Sequence, residues 1–112
     1  MKMNHQAVRV SVYINEADEW HRRPLHLEIL RMLHAQGLAG GTVLHAVAGF
    51  TGGGGVETTS LVDAGCRLPL VIQFIDTAEQ VERVIPMLKE MAGKRLIVRE
   101  RVEIEGGLAG AS

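Results

Sequence analysis

Cysteine is almost absent: Cys66 is the one thiol in 112 residues. No disulfide within the chain can staple the fold, and a reducing cytoplasm is the expected compartment. An excess of charge is missing too, since 12 Lys and Arg against 13 Asp and Glu leave a formal net charge of −1. That balance gives no electrostatic footprint for a nucleic acid or an anionic membrane. No apolar run reaches the ~18–20 residues that span a bilayer, so direct membrane insertion is not expected. The opening, MKMNHQAVRV, lacks the apolar segment of a secretory leader and passes straight into a strand pattern. There is no internal repeat.

Several chemical signatures are also lacking. The run Gly52–Gly55 is not followed by Gly-Lys-Ser/Thr, and its flanks are not those of a dinucleotide fingerprint. His5, His21, His26, His34 and His45 show no zinc-like spacing with cysteine or acid partners. No histidine is placed by sequence to activate Cys66, so no nucleophile–base pair is visible. The expectation is a protein that is not an enzyme.

What the chain does contain is regular. Val8, Val10, Val12 and Ile14 alternate with polar partners, a period-two strand. A charged connection, EADEWHRRP, leads to Pro24 at a helix start, and Leu25, Ile29, Met32 and Leu33 fall on one stripe of that helix. Gly37 ends it. Strands are expected over 42–48, 68–75 and 96–104. Between the second and third lies a long segment without periodicity, 51–67, rich in Gly, Thr and Ser. Asp76 and Thr77 give a capping signature for a second helix, whose stripe is Val81, Val84, Ile85, Leu88 and Met91. Pro86 inside it predicts a kink. Gly93 stops it.

The order strand, helix, strand, strand, helix, strand predicts an α+β, ferredoxin-like βαββαβ sandwich: a four-stranded antiparallel sheet with two helices on one face. One domain over 1–105 and a loosely ordered tail, 106–112, are expected. Val43, Val47, Val71, Ile75 and Ile97 occupy positions alternate to the expected helix-facing residues, so the second face of the sheet is also apolar. Self-association through that face is the economical answer.

A long loop without periodicity is more often functional than accidental. Its glycines either cradle an anion through backbone N–H groups or simply supply flexibility. Gly93 and Lys94 at the last turn, with Arg99 and Arg101 two residues apart on the last strand, make either a polyanion clamp or a solvated edge paired with Glu100 and Glu103. Glu16, Asp18 and Glu19 read as acids favouring a helix N-terminus.

Three blocks together resemble the PII-like family of small proteins, relatives of the nitrogen-regulatory PII signalling proteins. They are VYINEADEWHRRPLHLEIL, AQGLAGGTVLHAVAGFTGGG and LPLVIQFIDTAEQVERVIPML. Asn15 and Thr51 stand where the family usually has glycine. The resemblance implies a homotrimer with inward-facing sheets and a small anionic ligand, an adenine nucleotide as effector, held between subunits. No resident cofactor is implied. The segment 51–67 would correspond to the T-loop, which reports ligand state to a membrane transporter or enzyme partner. The implied ligand-binding residues are Gly49, Phe50 and Gly52 at the loop base, Gly93 and Lys94 at the turn, and Arg99 and Arg101 on the last strand. The competing reading is a metal-binding homotrimer similar to the divalent-cation tolerance proteins, using His21, His26 or Cys66. An enzyme using acids of the 16–19 connection is a third.

Overall fold

The computed structural model describes residues 6–52, 55–58 and 68–107, with backbone alone at 57–58. Cys66, most of the segment 51–67 and the end of the tail lie outside the described residues.

Strand β1 (Gln6–Asn15) lies in the middle of the molecule because its alternate residues Val10, Val12 and Ile14 are almost wholly buried. Two short strands, β2 (Glu19–Trp20) and β3 (Arg23–Pro24), follow and pair with each other. Helix α1 (Leu25–Ala35) buries Leu25, Ile29, Met32 and Leu33, the stripe expected from their spacing. Its C-terminus closes in a Schellman arrangement, with Gly37 N–H donating to His34 C=O and Leu38 N–H to Leu33 C=O. Gly37 there has φ +82°, a conformation that costs other residues.

Strand β4 (Thr42–His45) leads into β5 (Ala48–Gly49), which pairs with β6 (Glu57–Thr58). Strand β7 (Pro69–Asp76), helix α2 (Ala78–Ala92) and strand β8 (Leu96–Glu103) complete the chain. The main sheet has the order β4-β7-β1-β8, with every neighbouring pair antiparallel. This is the ferredoxin-like α+β fold expected from the element order.

Register settles which side chains face the helices. Val10 stands opposite Phe74, Val12 opposite Ile72 and Ile14 opposite Leu70. These join Val81, Val84, Leu88 and Met91 of α2 and the stripe of α1 in one core. Because β8 pairs Ile97 with Val12 and Arg99 with Val10, Ile97, Arg99 and Arg101 share the helix side. Val43, opposite Ile72, does so too. The open face therefore differs in membership from the sequence expectation. Val71 and Ile75 belong to it, but Val43 and Ile97 pack against the core. In their place stand Tyr13, Leu44, Leu96, Val98 and Val102.

Other departures are local. The connection EADEWHRRP is no open loop but a tight hairpin, with His21 and Arg22 both at positive φ, 52° and 68°. Pro24 is the N-cap of α1 rather than a residue of its first turn. Helix α2 runs unbroken through Pro86. At its start Thr77 is the cap, its Oγ1 accepting from Gln80 N–H at 3.2 Å. The Gln80 side chain does not return the bond, because Thr77 N–H already donates to Asp76 Oδ1 at 2.7 Å.

Candidate functional site

The base of the long loop, the start of β2's connection and the turn before β8 meet around a cavity of about 670 Å³. Three features of the chain bring them there. Strands β1 and β7 pair end to end, so Tyr13, Ile14 and Pro69 form its floor. Gly49 lies against Pro69: a Cβ built on Gly49 would stand 3.2 Å from the proline Cγ. That close approach delivers Phe50, Thr51 and Gly52 to one wall. On the other side Gly93 closes α2, its N–H donating to Lys89 C=O, and Lys94, Arg95 and Leu96 turn into the opposite wall.

The cavity is mixed in character. Tyr13, Phe50, Pro69 and Leu96 give it apolar surface, and Phe50 is 63% exposed, a large aromatic left open to water. Lys94 is exposed and has no hydrogen bond or ion pair among the described residues. Arg95 beside it is committed. Its Nε donates to Asp18 Oδ2 at 2.7 Å and its Nη1 to Ala92 C=O at 3.0 Å.

Asp18 is the joint of this region. Its carboxylate also accepts from Asn15 N–H at 2.8 Å, and its carbonyl accepts from Leu25 N–H at 2.9 Å, the first donor of α1. Burial pushes the Asp18 carboxyl upward. The Arg95 hydrogen bond, the Asn15 N–H and the guanidinium charge together outweigh burial and hold it below its ordinary value. Arg95 is raised in turn, first by its hydrogen bond to Asp18. The net charge of the three ionised groups on the wall is positive, with one cation unspent.

Of the residues expected from sequence, Phe50, Gly52 and Lys94 line this cavity, and Gly49 and Gly93 immediately precede them. Arg99 and Arg101 do not join them within one chain. Arg99 faces the helix layer and pairs with Glu82 of α2 at 2.6 Å. Arg101 lies further along β8, in a separate cavity of about 500 Å³ with Thr77 and Glu79 at the start of α2. Neither arginine pairs with Glu100 or Glu103 among the described contacts; Glu100 instead holds Arg9 on the open face, at 2.8 Å.

Sequence reasoning missed Arg95 and Asp18. Arg95 stands next to the lysine it singled out, but Asp18 was read as a helix-favouring acid, and its partner is 77 residues away. Glu16 likewise turns out to be a tie: its carboxylate accepts from Leu68 N–H at 3.2 Å and lies 3.3 Å from His45 Nε2. Among the described residues the histidines do not assemble. His21 stacks on Trp20, while His26 has a buried Nδ1 with no hydrogen-bond partner. Among the described residues no three His, Cys, Asp or Glu side chains gather as a metal site. No helix among them is long and apolar enough to cross a membrane.

The chain is 28% identical over 82 residues to UPF0166 protein MJ1524 of Methanocaldococcus jannaschii, covering 73% of this chain and 75% of that one. It is 30% identical over 95 residues to a UPF0166 protein of Aquifex aeolicus, covering 83% and 88% respectively. Among solved structures, the de novo designed protein Foldit4 aligns with TM-score 0.44 and 11% identity over 87% of this chain and 94% of its own. Residues 7–104, all four sheet strands and both walls of the cavity among them, match DUF190, described as an uncharacterised group, COG1993. The chain belongs to the DUF190 family.

Proposed function

We propose that this protein is a PII-like signalling protein that binds a small anionic effector, an adenine nucleotide, and does not catalyse a reaction. One observation carries the reading: Lys94, without a hydrogen bond or ion pair among the described residues, lines together with the loop base, Phe50 to Gly52, a cavity large enough for a nucleotide. Phe50 and Tyr13 offer aromatic surface for a base, and Lys94 offers the charge for a phosphate. The sequence resemblance to PII-like proteins and the ferredoxin-like sheet support the same reading.

The chain works as a homotrimer closed through its open sheet face, with the cavity at a subunit boundary. Arg101, exposed and unpaired among the described residues, is available to a neighbouring subunit's ligand. Arg99 serves there only if it leaves Glu82. A ligand touching Phe50–Gly52 favours one arrangement of the segment 51–67, and that segment reports to a membrane transporter or enzyme.

Titration calorimetry tests this with ATP, ADP, AMP, cyclic AMP and cyclic di-AMP against the wild type and Lys94→Ala. A charge-assisted contact is worth about 1.5–3 kcal/mol. Lys94→Ala should therefore weaken binding by roughly 10- to 150-fold. Silence from every nucleotide, with the assembly intact by light scattering, would overturn the nucleotide reading.

A further inference from the structure

The β2–β3 hairpin is built against local preference. A two-residue turn with positive φ at both central positions is ordinarily filled by Asn-Gly or Asp-Gly. Here His21 and Arg22 occupy those positions. Conformations of this kind persist where surrounding structure over-determines them, and they concentrate where function needs a side chain in that place.

The surrounding structure does over-determine this one. Trp20 packs against the hydrophobic core from the near side. The His21 ring stacks on the indole at 3.8 Å between centroids, 14° from parallel. At its base the hairpin is closed by Leu25 N–H donating to Asp18 C=O. A rigid tip then presents His21, Arg22 and Arg23, all exposed. Neither arginine side chain has a hydrogen bond or an ion pair among the described residues. Arg22 and Arg23 stand side by side in sequence at this tip, with Glu19 the one exposed acid on the same hairpin.

We propose that this hairpin is a docking surface for an acidic segment of a partner protein. Two exposed arginines adjacent in sequence can each take a carboxylate through two parallel N–H donors. Nucleic acid fits less well, because affinity there needs many phosphate contacts and the chain's formal net charge is −1. A bilayer fits less well too, since Trp20 is already committed to the core and covered by His21. The docking surface is distinct from the effector cavity, but Asp18 belongs to both. Its carbonyl closes the hairpin, and its carboxylate holds Arg95 on the cavity wall. If the effector reading holds, partner and effector are coupled through Asp18, and the coupling must be reciprocal.

The test is selection of a random dodecapeptide phage library on the immobilised full-length protein, without nucleotide. Individual peptides are then measured by fluorescence anisotropy against the wild type and an Arg22→Asn/Arg23→Gln variant. Asn tolerates the left-handed backbone at position 22, and emission from Trp20, the one tryptophan, verifies that the hairpin persists. The expected result is a pool enriched in adjacent Asp and Glu, binding the variant at least tenfold more weakly and shifting Trp20 emission in the wild type. A pool without acidic enrichment, an empty pool, or equal binding to a folded variant would overturn the proposal. So would tighter, Arg22- and Arg23-dependent binding to polyphosphate or to phosphatidylserine vesicles than to any selected peptide. None of these outcomes depends on a nucleotide, so failure of the effector reading leaves the test intact.

Discussion

Asp18 concentrates several roles in one side chain, and its protonation should be visible in stability. Its carboxyl is held below the ordinary 3.8 in the folded protein, against the upward push of burial. The sign follows from linkage. A carboxyl lowered on folding adds stability that is fully present above the unfolded value and disappears as pH falls through the folded one. Arg95 is a third exposed, so solvent screening limits the contribution to about 1 kcal/mol. Asp18→Asn should therefore lower the urea midpoint at pH 6, and the gap to wild type should shrink below pH 3.8. A gap that stays constant with pH would remove the ion pair from the account. A second residue-scale prediction concerns Arg22. Its φ of 68° costs a residue with a Cβ about 1 kcal/mol. Arg22→Gly should recover part of that and raise the urea midpoint, despite deleting a large side chain. The same substitution would remove one of the two guanidiniums from the docking surface, separating stability from binding.

At the scale of elements, helix α2 is fastened to the rest of the sandwich at its N-terminal end by a buried acid. Asp76 Oδ2 accepts from Ala39 N–H at 2.7 Å, joining the end of β7 to the segment between α1 and β4, while Oδ1 takes Thr77 N–H. Asp76→Ala leaves two donors without acceptors, at about 1–3 kcal/mol each. Urea unfolding should show a loss of roughly 3 kcal/mol with little change in slope, and Asp76→Asn a smaller one. The elements themselves were largely legible. Period-two alternation in β1 and β7, and the 3.6-residue stripes of both helices, each have one strongly apolar face, which is what periodicity detects. Strand β8 does not. Leu96, Val98 and Val102 alternate with Ile97, Arg99 and Arg101, so both faces hold apolar residues, and only pairing with β1 decides which meets the helices. The hairpin at 19–24 was illegible for another reason: its turn lacks the glycine or asparagine that announces such turns. In the site, glycines and the free lysine were legible because their chemistry is local. Asp18 with Arg95, and Arg99 with Glu82, depend on contacts between distant segments that no spacing encodes.

Among the described residues of the whole molecule, one side of the sheet is uncovered, and two residues of that side, Tyr13 and Leu96, also line the cavity. Tyr13, Leu44, Leu96 and Val98 are each 40–59% exposed there, although they are large apolar residues. The face is not uniformly greasy. Arg9 with Glu100 and Ser11 with Gln73 cross it as polar pairs, which gives a partner copy fixed points of register as well as apolar area. Tyr13 and Leu96 belong both to this face and to the cavity wall. Covering the face with a second copy would therefore also shape the cavity, and the two can be separated by mutation. Val98 lies on the face, opposite Ser11, and is not among the cavity residues. Val98→Arg places a charge where apolar contact is needed. In sedimentation the proposed trimer should fall to monomers, and nucleotide affinity should fall with it. Lys94→Ala should lose nucleotide affinity at an unchanged mass. If Val98→Arg dissociates the assembly and nucleotide binding is untouched, the cavity is complete within one chain, and the site does not lie between subunits. If the mass of the wild type is already that of a monomer, the open face serves some other partner.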